Sequence, residues 1–128
     1  MRELKTLTEK FFEVIKHEGV VSIVSWGITE PHIVNTWNSY LNITNDKKIL
    51  IPAAGMHSIE ADLKQNNKVK LTLGCREVQG LFNAGAGFRI EGTAMFHASG
   101  NEYEMMKKKF PFLTRVLEIT ITDLKQTL

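Results

Sequence analysis

Cysteine is almost absent from this sequence, because Cys75 is the single one among 128 residues. One cysteine excludes an internal disulfide and a cysteine-rich metal site, and such usage fits a reducing cytoplasm. The four histidines are scattered without the paired spacing of metal ligands. We therefore expect no metal site.

A strong charge of one sign is missing too. Sixteen basic and fourteen acidic residues leave a formal net charge of +2, whereas a nucleic-acid-binding face needs concentrated basic charge. The run Lys107-Lys108-Lys109 is interpreted as one side of a solvated helix. Residues 1–5 lack the apolar stretch of a signal peptide, and no apolar run is long enough to span a membrane. We expect a cytoplasmic protein that binds neither nucleic acid nor membrane.

The length and the hydrophobic patterns predict one mainly β domain over residues 1–128. Apolar residues alternate with polar ones around Leu71, Ile90 and Ile119, as in antiparallel strands that are wet on one side. The predicted strands cover 20–26, 31–41, 48–52, 68–75, 88–96 and 117–122. The predicted helices cover 7–18, 56–65 and 101–110. Six strands and three short helices favour a closed β-barrel over a parallel sheet.

The first helix has recognisable end signals. Thr6 and Glu9 have the spacing of a capping box, and Gly19 stands where a helix end favours a left-handed residue. These signals predict a helix that begins near Leu7 and ends near Glu18.

The segment from Pro31 to Leu41 is an unusual strand. Asn35 and Trp37 would share one face, whereas Thr36, Asn38 and Tyr40 would share the other. A strand that mixes amides and hydroxyls with large aromatic residues indicates a flat, polar ligand, because buried polar groups need partners. Trp37 or Tyr40 alone would more often be a core residue. Their combination with the amides favours a cofactor site.

The segment from Pro52 to Ala61 follows after a short turn. Gly55, preceded by the small Ala53 and Ala54, would let the backbone approach a ring that a larger side chain would push away. The same three residues would also suit the plain end of a strand. This segment alone does not distinguish the two interpretations.

Five strings in order resemble one known family: PHIVNTWNSYL, GMHSIEA, LGCREV, GLFNAGAGF and the final QTL. Over nearly the whole chain the sequence is similar to the small FMN-binding members of the pyridoxamine 5′-phosphate oxidase-like split-barrel flavoproteins. The resemblance implies a six-stranded antiparallel split barrel. It also implies a homodimer with non-covalent FMN near the subunit interface, and a role in electron transfer or oxidoreduction.

The resemblance also implies roles for individual residues. Asn35, Trp37 and Tyr40 would surround the flavin, and the backbone of 53–57 would line it. Phe112 stands where the similar proteins have Trp, Leu128 would reach the partner's flavin, and Gly85 would belong to a mobile loop. The complete set of candidate cofactor contacts is Asn35, Thr36, Trp37, Asn38, Tyr40, Pro52, Ala53, Ala54, Gly55, Met56, His57, Ser58, Arg76, Gly85, Phe112 and Leu128.

One departure from the family concerns the phosphate of FMN. The similar proteins have Lys and then Thr where this chain has Ser58 and Ile59. Loss of a charge-assisted hydrogen bond costs about 1.5 to 3 kcal/mol, so FMN would bind roughly tenfold to a hundredfold more weakly. We expect Ser58, His57, Arg76 and backbone groups at the start of the short helix to compensate, with Ser58 replacing part of the anchor. His32 is interpreted as a surface residue at a strand end.

No residue of the predicted site stands out as a general acid or base, which suits electron or hydride transfer better than hydrolysis. Two alternatives stay open. One is a flavin reductase that oxidises NAD(P)H and releases reduced FMN. The other is a barrel that binds haem, a deazaflavin or another flat ligand, or no cofactor. The redox partner is unknown from the sequence.

Overall fold

The computed structural model describes residues 7–128. Helix α1, Glu9–Ile15, begins after Thr8, whose Oγ1 accepts a hydrogen bond of 3.1 Å from the backbone N–H of Phe11. The helix is therefore shorter than predicted, and its cap is Thr8. Thr6, the predicted cap, lies outside the described residues.

Gly19 is not in the left-handed region, contrary to the prediction. Close packing explains a glycine here instead. A Cβ atom at Gly19 would lie 2.5 Å from the carbonyl oxygen of Gly74 and 2.9 Å from Nδ2 of Asn38.

The remaining elements follow the predicted order with shifted ends. The two other helices are α2, His57–Leu63, and α3, Asn101–Lys109. The strands are β1 Val20–Trp26, β2 Pro31–Trp37, β3 Asn42–Ile43, β4 Lys48–Ala53, β5 Lys68–Gln79, β6 Ala84–His97 and β7 Arg115–Gln126.

All strands belong to one antiparallel sheet of order β2-β1-β5-β6-β7-β4-β3. The prediction of a mainly β fold with short helices is confirmed. The strand count is seven, because the two-residue strand β3 pairs with β4. Within residues 7–128 the sheet is open, since β2 and β3 form its edges and do not pair with each other.

The second predicted strand ends earlier than expected. Strand β2 stops at Trp37, and a 3₁₀ turn, Asn38–Tyr40, follows it. The cause is Asn38, whose backbone N–H donates to Gly19 O at 2.9 Å and whose buried amide bonds two further carbonyls. The assignment of Asn38 and Tyr40 to a strand face is therefore wrong.

The core lies between the sheet and α1. Phe11 and Val14 of α1 are fully buried, and the Phe11 ring meets that of Phe88 edge to face at 5.6 Å. The alternating apolar positions of β5, β6 and β7 are buried in the same cluster. A smaller apolar cluster around Leu50 and Met106 lies against α3. No helix in residues 7–128 has the length and apolarity needed to cross a bilayer.

The glycine-rich string GLFNAGAGF contains a hairpin turn and the start of β6. Gly80 N–H donates to Asn83 O at 2.9 Å, and β6 begins directly afterwards at Ala84. Gly85 and Gly87 are thus strand residues, and Gly85 has a positive φ of 112°. Residues 80–83 form the turn, whereas Ala84, Ala86, Gly87 and Phe88 pair with β5, so the expectation that Gly85 lies in a loop is wrong.

Candidate functional site

A cleft of about 220 Å³ lies between β2, the 3₁₀ turn and the segment after β4. We call it the aromatic cleft. Except for Val34, every residue lining it belongs to the predicted set of cofactor contacts. The lining consists of Val34, Asn35, Thr36, Trp37, Tyr40, Pro52, Ala54, Gly55, Met56 and Phe112.

Three aromatic rings pack together at this cleft. The Tyr40 ring lies 5.6 Å from that of Phe112 and 5.1 Å from that of Phe110. Trp37 and Phe112 nevertheless leave 44% and 50% of their surface exposed. Aromatic side chains that are packed on one side and open on the other provide a flat surface on which a ring can stack.

The backbone beside these rings has room for a flat group. A Cβ atom added at Gly55 would meet no other atom within 4 Å. Ala53 is fully buried, so it contributes to the core and its side chain does not line the cleft. Ala54 and Gly55 therefore present an open backbone face to the aromatic cleft.

Arg115 holds this backbone in place. Its Nη2 donates to Gly55 O at 2.6 Å, its Nη1 lies 3.4 Å from Ala54 O, and it pairs with Glu60 at 3.2 Å. Thr114 adds a backbone hydrogen bond of 2.9 Å to Ala53 O. The sequence analysis missed both residues. Their role depends on the pairing of Ala53 with Arg115 across β4 and β7, and no local signal in the sequence indicates that register.

A second cleft of about 230 Å³ adjoins the first, because Val34 and Met56 line both. We call it the histidine cleft. Its lining contains the predicted residues His57 and Ser58, together with His32. The lining consists of His32, Ile33, Val34, Met56, His57, Ser58 and Ile59.

His32 is half-buried and paired, so it is more than the exposed strand end predicted from the sequence. Its Nδ1 lies 2.8 Å from Oδ2 of Asp62. The same oxygen accepts a hydrogen bond of 2.7 Å from Ser25. The hydrogen bond from Ser25, followed by the one from His32, lowers the pKa of Asp62 below its ordinary value. The carboxylate thus stays ionised although the residue is only 6% exposed.

Arg76, Gly85 and Leu128 lie in a third cleft, of about 350 Å³, which we call the terminal cleft. Leu128 is held there by reciprocal backbone hydrogen bonds of 3.2 Å with Gly87. Within one chain these three residues do not line either of the other clefts. The resemblance assigned Leu128 to the partner's flavin and placed Arg76 and Gly85 near the chain's own. The fold of a single chain brings none of the three to the aromatic cleft or the histidine cleft.

The Asn38 side chain bonds other parts of the fold and does not face a cleft. It is 1% exposed, and its Nδ2 donates to His17 O at 3.0 Å and to Gly74 O at 3.2 Å. These bonds join the end of the α1 connection to β5. Asn38 supports the turn that carries Tyr40, and it lines none of the three clefts.

The fold also gathers side chains that the sequence spacing keeps apart. Possible ligand atoms of His17, Cys75 and Glu77 lie within 4.8 Å of one another, and so do those of a second group, which is His97, Glu102 and Glu118. Exposed acidic groups are also common without a metal ion. The expectation that the protein has no metal site stays a prediction.

The chain is similar to known proteins over nearly its whole length. Residues 7–128 match the family model described as pyridoxamine 5′-phosphate oxidase. The FMN-binding protein of Nitratidesulfovibrio vulgaris (strain DSM 19637 / Miyazaki F) is 44% identical over 118 residues, which are 92% of this chain and 96% of the relative.

Solved structures show the same fold at low sequence identity. HupZ of Group A Streptococcus superposes with a TM-score of 0.78 at 17% identity, over 94% of each chain. A putative pyridoxamine 5′-phosphate oxidase of Lactobacillus delbrueckii superposes with a TM-score of 0.69 at 15% identity, over 93% of each chain.

Proposed function

We propose that this chain, which belongs to the pyridoxamine 5′-phosphate oxidase family, is a flavoprotein that binds FMN non-covalently in the aromatic cleft. The observation that carries the proposal is the convergence of residues distant in sequence on one cleft, from Asn35 to Phe112. The relative that is 44% identical is itself named an FMN-binding protein.

The residues of the cleft suit the parts of a flavin. Trp37 and Phe112 offer exposed aromatic surface to the ring, and Gly55 leaves space beside the backbone. Asn35 and Thr36 provide amide and hydroxyl groups for a polar edge. A bound flavin supplies the redox chemistry, while the protein supplies binding, orientation and electrostatics.

We further propose a role in electron transfer rather than in hydrolysis. Among the described residues lining the aromatic cleft, Tyr40 is the only titratable side chain. Apart from that phenol, the lining offers no carboxylate, imidazole or amine, the groups that general acid–base catalysis uses most often. This composition supports an electron or hydride carrier.

The proposal includes a homodimer. The aromatic cleft, at about 220 Å³, is smaller than the roughly 300 to 1,000 Å³ of ordinary ligand sites. Trp37 and Phe112 stay largely exposed on its open side. A second copy of the chain would cover that side, and its terminal cleft would bring Leu128 to the flavin. Light scattering after size exclusion should give twice the monomer mass, and a monomer that binds FMN tightly would contradict the arrangement.

The first test is the visible absorption spectrum of the purified protein, followed by heat release and mass identification of the chromophore. A flavin spectrum that yields FMN supports the proposal. A colourless protein that does not quench the fluorescence of added FMN would refute it. A different chromophore would favour another flat ligand, such as haem or a deazaflavin.

A second test separates a carrier from a reductase. A carrier should keep its FMN through gel filtration and oxidise NADH or NADPH no faster than free FMN does. Rapid NAD(P)H oxidation with release of reduced flavin would instead identify a flavin reductase. How tightly the site holds the FMN phosphate affects whether the protein is a carrier or a reductase, because a weakly anchored flavin leaves easily.

A further inference from the structure

We propose that His32, oriented by the buried Asp62 carboxylate, is the cationic group that binds the phosphate of FMN in this chain. The inference rests on the proposed function and assigns a residue to the phosphate end of that site. Ser58 is then a neighbouring hydroxyl rather than the main anchor.

The placement of the two clefts carries the first step. FMN has a flat ring at one end and a phosphate at the other. The aromatic cleft suits the ring, and the histidine cleft adjoins it through Val34 and Met56. No lysine or arginine is among the described residues lining either cleft. The two imidazoles, His32 and His57, are therefore the groups that can offer positive charge to a phosphate there.

Asp62 distinguishes His32 from His57. A carboxylate has no proton to give, so the Nδ1 of His32 donates to Asp62 at 2.8 Å. The Asp62 side chain is 7% exposed and is also bonded by Ser25, which fixes its position. No hydrogen bond within the described residues uses the Nε2 of His32, so this atom is free to donate to an anion.

His57 lacks this support. Its side chain is exposed, and no hydrogen bond or ion pair within residues 7–128 orients it. Binding an anion would then cost side-chain entropy that His32 has already lost. We therefore expect His32 to contribute more than His57 to the recognition of phosphate.

The experiment compares FMN with riboflavin, which lacks only the phosphate. Dissociation constants are measured by quenching of flavin fluorescence for the wild type and for His32→Gln. Loss of a charge-assisted hydrogen bond predicts FMN binding about tenfold to a hundredfold weaker in His32→Gln. Riboflavin binding should stay within about twofold, because the ring site is intact.

A second histidine offers a matched control. The Nε2 of His97 lies 2.8 Å from Glu118, and the exposed fractions of that pair are 30% and 8%. The corresponding fractions for His32 and Asp62 are 31% and 7%. His97 lines neither the aromatic nor the histidine cleft. His97→Gln should therefore leave the affinity for both flavins unchanged.

The pH dependence separates a charged contact from a structural role. Histidine side chains usually lose their proton between about pH 5 and 8. The phosphate of FMN is already a dianion above about pH 7, so from pH 7 to 9 the preference for FMN over riboflavin should fall more in the wild type than in His32→Gln. The groups that face His32 are Ser25 from β1 and Asp62 from α2, and His57 shares its cleft. His57→Gln should keep the preference for FMN, whereas Asp62→Asn, which removes the acceptor that orients His32, should reduce it.

The outcomes are distinct. Equal loss of FMN and riboflavin in His32→Gln, or no loss of either, would overturn the role of His32 and leave the proposed function standing. Failure of the wild type to bind either flavin would refute the proposed function together with this inference. If His32→Gln does not fold, Asp62→Asn decides, since an unchanged preference for FMN over riboflavin in that variant also overturns the proposal.

Discussion

Asn38 and Asn35 lie three residues apart, and the sequence assigned both to the cofactor. The structure separates them, because Asn38 is buried whereas Asn35 lines the aromatic cleft and is exposed. Asn38→Ala removes the donor that satisfies the carbonyl oxygens of His17 and Gly74. We expect this variant to lose stability while it keeps its intrinsic affinity for FMN.

The magnitude follows from the two hydrogen bonds. An unsatisfied buried polar group costs about 1 to 3 kcal/mol, so two orphaned carbonyls predict a loss of about 2 to 6 kcal/mol, towards the lower end because both hydrogen bonds are only partly buried. For a domain of this size such a loss lowers the melting temperature by roughly 10 °C. Asn35 accepts one exposed hydrogen bond, of 3.3 Å from Ser22. Asn35→Ala should therefore change stability by less than about 0.5 kcal/mol.

The assay is urea unfolding of the flavin-free protein at one fixed concentration, followed by FMN titration of each variant under native conditions. A fixed concentration is needed because assembly and ligand both shift apparent stability. Asn38→Ala should shift the unfolding midpoint, and Asn35→Ala should weaken FMN binding. An Asn38→Ala protein of wild-type stability that fails to bind FMN would refute the structural role of Asn38 and restore it to the cofactor site.

Three further variants test the frame of the site. Gly55→Ala should leave the stability of the flavin-free protein within about 0.5 kcal/mol of wild type, since the added Cβ meets nothing within 4 Å. Its affinity for FMN should fall. Unchanged affinity in the same titration would mean that no flavin ring lies against Gly55. The lysine of Arg115→Lys cannot bond both Ala54 and Gly55 as the forked arginine side chain does. Amide hydrogen exchange at 55–58 should therefore accelerate. Wild-type protection in this variant would contradict the role of Arg115 in holding that backbone. Burial by itself would raise the pKa of Glu118. Hydrogen bonds from Lys48 and His97 outweigh that effect, so the pKa of Glu118 lies below its ordinary value. A lowered pKa gives stability that is lost as the pH falls, so melting temperatures at pH 7 and pH 4 should differ less in Glu118→Gln than in the wild type.

Much of the fold was predictable because its signals are local. Alternation of apolar and polar residues follows from the two-residue period of a strand, and it located the strands around Leu71, Ile90 and Ile119. The three helices were also predicted from local signals, with end errors of a few residues. The end at Trp37 was missed because Asn38 bonds carbonyls that lie 21 and 36 residues away, and no local pattern reports such partners.

The candidate site divides in the same way. The residue types follow from the sequence alone: aromatic rings, amides and a small-residue turn that suit a flat cofactor. Which of them meet depends on the tertiary structure. It joined Trp37 to Phe112 in one cleft, placed Arg115 against Gly55, and paired His32 with Asp62. Those contacts depend on strand register and helix packing, and both arise from the summed burial of the whole core rather than from any short stretch of the chain.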